Sequence, residues 1–79
     1  MKIRIVVYKG SGKYYTEGIA ESEKEIPLWE DEFKVFVANN LPTKYSGGYI
    51  TVEDTDDHAE GFHCALYRFD EIVKYRSEG

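Results

Sequence analysis

A chain of 79 residues with one cysteine and a net charge of −5 has room for one domain. A chain this short buries only roughly 60% of its unfolded surface, which leaves little space for a deep catalytic cleft beside a core. A lone cysteine cannot close an internal disulfide, no stretch approaches the ~20 apolar residues of a membrane span, and the first residues lack the apolar core and cleavage site of a signal peptide. The expectation is a cytoplasmic protein working through its surface.

Charge is segregated along the chain. Residues 1–16 carry four basic side chains and no acid, whereas residues 17–60 carry twelve acids against Lys24, Lys34 and Lys44. Wholesale coating by nucleic acid is disfavoured, because phosphate binding needs local positive charge.

Lys2–Lys9 alternates, with Ile3, Ile5 and Val7 to one side and Lys2, Arg4 and Tyr8 to the other, and predicts a strand. Gly10-Ser11-Gly12 reads as a hairpin turn and Lys13–Ala20 as the return strand. A three-residue loop would pair Tyr8 with Tyr14 and Val7 with Tyr15. That register gathers Ile3, Ile5, Val7, Tyr15 and Ile19 on one face, with Glu17 among them.

Pro27 and the acids Glu30, Asp31 and Glu32 suit the start of a helix. Trp29, Phe33, Phe36, Val37 and Leu41 recur at helical spacing and predict a buried stripe, which Asn39-Asn40 and Pro42 end. After Ser46-Gly47-Gly48, Tyr49–Asp54 and Phe62–Phe69 read as a second hairpin. Pairing Val52 with Cys64 makes an apolar face of Ile50, Val52, Phe62, Cys64 and Leu66, and sets Tyr49 opposite Tyr67 and Glu53 opposite His63. The tail after Asp70 fits either a last strand or a helical turn. The expected fold is therefore α+β in β-β-α-β-β order, an antiparallel sheet of two hairpins packed on one amphipathic helix.

The richest chemistry lies at the tip of the second hairpin, where Glu53, Asp54, Asp56, Asp57, His58 and Glu60 fall within eight residues. Hard cations want several such oxygens, but the EF-hand template fails: counting from Asp54, the sixth residue is Ala59 and the twelfth Ala65. A zinc site from His58, His63 and Cys64 would need strand neighbours His63 and Cys64 to point the same way. Cys64, placed on the apolar face, reads as a core thiol and not as a nucleophile. Glu53 and His63 read as a cross-strand ion pair in preference to a general-base dyad. No catalytic residue, metal ligand or cofactor is assigned.

The outer face of the sheet is the stronger lead. The expected registers place Tyr8, Tyr14, Tyr49 and Tyr67 there beside Arg4, Lys2 and Thr51, and open aromatic faces rimmed by charge mark interaction sites. The reading is a small acidic, non-enzymatic protein–protein interaction module of the kind a phage or mobile element encodes, acting as a regulator or inhibitor of a basic, nucleic-acid-handling protein. The tyrosine face supplies an apolar anchor, for that partner or for a homodimer, and the acidic tip orients the basic partner. The rival is a single-stranded nucleic-acid-binding module that stacks bases on the tyrosines and holds phosphates with Lys2, Arg4, Lys9 and Lys13.

Overall fold

The computed structural model describes residues 1–44, 47–55 and 64–76. Four strands, β1 (Lys2–Tyr8), β2 (Tyr14–Glu21), β3 (Tyr49–Asp54) and β4 (Cys64–Arg68), form one antiparallel sheet in the order β2-β1-β3-β4. Helix α1 (Asp31–Asn39) lies between the hairpins in sequence, and a short helix α2 (Phe69–Ile72) running into a 3-10 turn (Val73–Tyr75) closes the described chain. The fold is α+β, and the tail takes the helical option. None of the described helices is long and apolar enough to cross a membrane.

One face of the sheet carries the core. Ile3, Ile5 and Val7 of β1 and Ile50 and Val52 of β3 are fully buried, packed with Phe33 and Val37 of α1 and Phe69 and Ile72 of α2. Fully burying each such side chain contributes about 1.5–3 kcal/mol. Asp31 and Glu32 sit in the first turn of α1, where the positive end of the helix dipole favours them. At the other end, Asn40 Nδ2 donates to the carbonyl of Phe36 at 2.8 Å and closes the helix.

The first hairpin turns as expected. The amide of Gly12, at φ +87°, donates to the carbonyl of Lys9, and the amide of Lys9 donates to that of Lys13, both at 2.8 Å. Tyr8 then faces Tyr14, but Val7 faces Thr16, so Tyr15 is an extra residue in β2 and the ladder is bulged. From there on the register differs from the one expected. Thr16, Gly18 and Ala20 join Val7, Ile5 and Ile3 on the core face, while Tyr15 and Ile19 are 40% and 56% exposed. The bulge takes Glu17 off the core face, where an unpaired carboxylate would be costly.

The second hairpin is shifted by one residue from its expected register. Val52 faces Ala65, Ile50 faces Tyr67 and Glu53 faces Cys64. Cys64 and Leu66 therefore point away from the core and are exposed, and Tyr67 points toward it. Arg68 explains the choice: it shares strand parity with Cys64 and Leu66, and burying its guanidinium would cost more than exposing a leucine.

Trp29 also departs from its expected place. The amide of Glu30 donates to the carbonyl of Pro27 at 3.1 Å, so Pro27–Glu30 is a turn ahead of α1 and not its first coil. Trp29 thus leaves the helical stripe and is 81% exposed, whereas Ile26 and Phe33 on either side of it are buried.

Candidate sheet-face interface

The outer face is built from four cross-strand rows. At the hairpin end, Tyr14, Tyr8, Tyr49 and Arg68 follow one another from β2 to β4. The next row is Glu17, Val6, Thr51 and Leu66; the third is Ile19, Arg4, Glu53 and Cys64. Lys2 and Glu21 begin a fourth. Among the described residues no helix covers this side, since both helices pack into the core on the other. The molecule is 18 Å thick in its shortest dimension, enough for one sheet under one layer of helices.

Arg4 is the hub of this face. Its Nε donates to Glu17 Oε2 at 2.5 Å and its Nη1 to Glu53 Oε1 at 3.2 Å, so one guanidinium ties β1 to both flanking strands. Hydrogen bonds to Glu17 and then Glu53 raise the guanidinium's pKa further above its ordinary value. The Arg4 bond holds the Glu17 carboxyl below the usual carboxylate range. Tyr14 donates its hydroxyl to Glu17 Oε1 at 3.3 Å, and its own pKa is raised by partial desolvation and by the Glu17 charge. Tyr8 and Tyr49 stack with ring centroids 5.1 Å apart and planes 17° from parallel, an offset geometry that holds both rings in place.

Around this framework sit exposed apolar side chains. Leu66 is 66% exposed, Tyr14 57% and Ile19 56%, while Val6 in the middle is 6% exposed, shielded by its neighbours on the face. Chemically the face offers aromatic planes, aliphatic surface and a preorganised charge cluster. Cys64 faces Glu53, whose carboxylate accepts from Arg4 Nη1. Among the described residues no group of three or more His, Cys, Asp or Glu side chains is arranged to hold a metal.

Of the residues singled out from sequence, Tyr8, Tyr14, Tyr49 and Arg4 lie together on the outer face. Tyr67 does not. It belongs to the core side, where burial raises its hydroxyl pKa and where it borders a shallow groove with Lys34, Glu71, Lys74 and Tyr75. Glu53 joins the outer face, whereas Asp54 faces Ile3 at the end of the sheet. Asp56, Asp57, His58 and Glu60, and the His63 expected opposite Glu53, lie outside the described residues. Sequence reasoning missed Ile19, Leu66 and Cys64 as outer-face residues. Arg68 was the signal for the last two, because a charged residue of the same strand parity must point to solvent. Compared with known proteins, the chain matches no protein-family model, no curated protein and no solved structure.

Proposed function

We propose that the protein is a small, non-catalytic interaction module that docks other proteins through the outer face of its sheet, acting as a regulator or inhibitor of a partner with a basic surface. The observation that carries this reading is a whole sheet face on which Leu66, Tyr14 and Ile19 are each more than half exposed around a clamped arginine. Apolar patches of this kind mark interaction sites, and tyrosine and arginine dominate the energetics of protein interfaces. Among the described residues the face is neutral: Lys2, Arg4 and Arg68 balance Glu17, Glu21 and Glu53. Five further acids, Glu23, Glu25, Glu30, Asp31 and Glu32, lie between β2 and the first turn of α1, and others at residues 54–60. They supply the long-range field that would steer a basic partner.

Affinity capture from the cell that makes the protein tests this. Capture should fall with Tyr14→Ala plus Ile19→Ser, and its salt dependence should weaken when Asp54, Asp56 and Asp57 become asparagine. Equal recovery by wild type and both variants would overturn the reading.

The aligned row Tyr14–Tyr8–Tyr49–Arg68, next to Lys9 and Lys13 of the turn, favours a second reading as a platform for single-stranded nucleic acid. Against it, Arg4 is engaged by two carboxylates that would face the phosphates. Anisotropy of a labelled oligothymidine at about 20 mM salt decides: no binding there removes this reading.

A further inference from the structure

We propose that, until a foreign partner displaces it, the occupant of the outer face is a second copy of this chain, docked about a two-fold axis that runs parallel to the strands between β1 and β3. This rests on the reading of the outer face as a docking surface and names what sits on it. The argument is charge complementarity within a neutral face. A strand-parallel two-fold keeps each row and reverses the strand order, so β1 meets the partner copy's β3, and β2 meets its β4.

Each row then meets its own reverse. In the third row, Arg4 lies over Glu53 of the other copy and Ile19 over Cys64. In the first row, Tyr8 lies over Tyr49 and Tyr14 over Arg68, an aromatic pair and a cation over a ring. In the second, Val6 lies over Thr51 and Glu17 over Leu66. No like charges oppose one another in these three rows. The alternative axis, in the plane of the face but across the strands and centred on the second row, would set Glu17 against Glu17 of the other copy. It is disfavoured.

Four strands about 4.8 Å apart and seven residues of about 3.3 Å give a patch of roughly 19 by 23 Å. That is below the ~800 Å² per partner of a standard interface, so the dimer should be weak, with a dissociation constant on the order of 10–100 μM. Trp29 and the acids ahead of α1 are not part of the four rows that this contact joins.

Sedimentation equilibrium of the full chain from about 5 μM to about 1 mM should show the mass rising from 9.1 kDa toward twice that value. Leu66 is exposed, so charges placed there leave the monomer folded. Leu66→Glu sets a carboxylate over Glu17 of the other copy and should weaken the dimer by about tenfold or more, whereas Leu66→Arg should retain or tighten it. Arg4→Glu and Glu53→Arg should each weaken self-association, and mixing the two chains should restore it, with far-ultraviolet circular dichroism confirming that both are folded. A monomer up to about 1 mM overturns the proposal, as does equal loss by both Leu66 variants or a mixture no tighter than its parents. A monomer whose capture of a foreign protein still depends on Tyr14 and Ile19 would overturn the second copy alone and leave the docking face intact.

Discussion

Arg4 and Glu17 bond across the first strand pair although neither is the other's register partner: Arg4 faces Ile19 and Glu17 faces Val6, and the contact runs diagonally at 2.5 Å. The diagonal exists because the bulge at Tyr15 moves Glu17 to the outer face. Glu17 titrates below the usual carboxylate range, so its contribution to stability is present above its unfolded pKa and is lost as pH falls through the folded one. Wild type should resist urea better than Glu17→Gln at pH 7, and the gap should narrow progressively as pH falls below about 4. Both side chains are more than a third exposed, so added salt should narrow the gap as well. A gap that ignores pH would mean that Glu17 acts by packing and not by charge.

Gly48 precedes β3 at φ +77°, and a Cβ there would lie 2.0 Å from the carbonyl oxygen of Tyr8. Its own carbonyl accepts the amide of Phe69 at 3.1 Å, so the residue also ties β3 to the start of α2. Gly48→Ala should cost about 2–4 kcal/mol, combining left-handed strain with a backbone clash. Thermal unfolding should fall by more than about 8 °C. Gly10, where an added Cβ meets nothing within 4 Å, provides the control and should tolerate alanine.

Trp29 and Phe33 are four residues apart and differ fully in burial. Trp29→Ala should change stability by no more than about 0.5 kcal/mol, because no buried contact is lost. Phe33→Ala should cost about 3–5 kcal/mol. Against a total of about 4–12 kcal/mol for a chain of this length, that is enough to unfold much of the population. Urea titration followed by far-ultraviolet circular dichroism measures both. As the only tryptophan, Trp29 should also emit at nearly the same wavelength before and after unfolding.

Cys64 faces solvent from edge strand β4. One equivalent of thiol should react with a disulfide reagent in the native state without denaturant. Protection until the protein unfolds, at a concentration of about 1 μM where a weak dimer is dissociated, would mean that Cys64 faces the core and that β4 pairs with β3 one residue out of register.

Much of the architecture was legible in the sequence. Ile3, Ile5 and Val7 alternate with Lys2 and Arg4, and Phe33, Phe36 and Val37 repeat at helical spacing, so β1 and α1 are written in single periodicities. The outer placement of Tyr8, Tyr14, Tyr49 and Arg4 followed from the same alternation. Trp29 was not legible, because helical spacing to Phe33 cannot reveal that Pro27–Glu30 turns before the helix begins.

The chain's own pattern thus determined the two hairpins and the helix between them, and that Tyr8, Tyr14, Tyr49 and Arg4 stand on the face of the sheet away from the core, while it left the tail after Asp70 open between strand and helix. Tertiary structure alone decided the two registers that complete that face. β2 and β4 each carry apolar residues at both strand parities, so local alternation cannot choose between them. The choice falls to charges several residues away, Glu17 in one hairpin and Arg68 in the other. A bulge at Tyr15 and a one-residue shift at Val52–Ala65 bring both into solvent, and Ile19, Cys64 and Leu66 come with them.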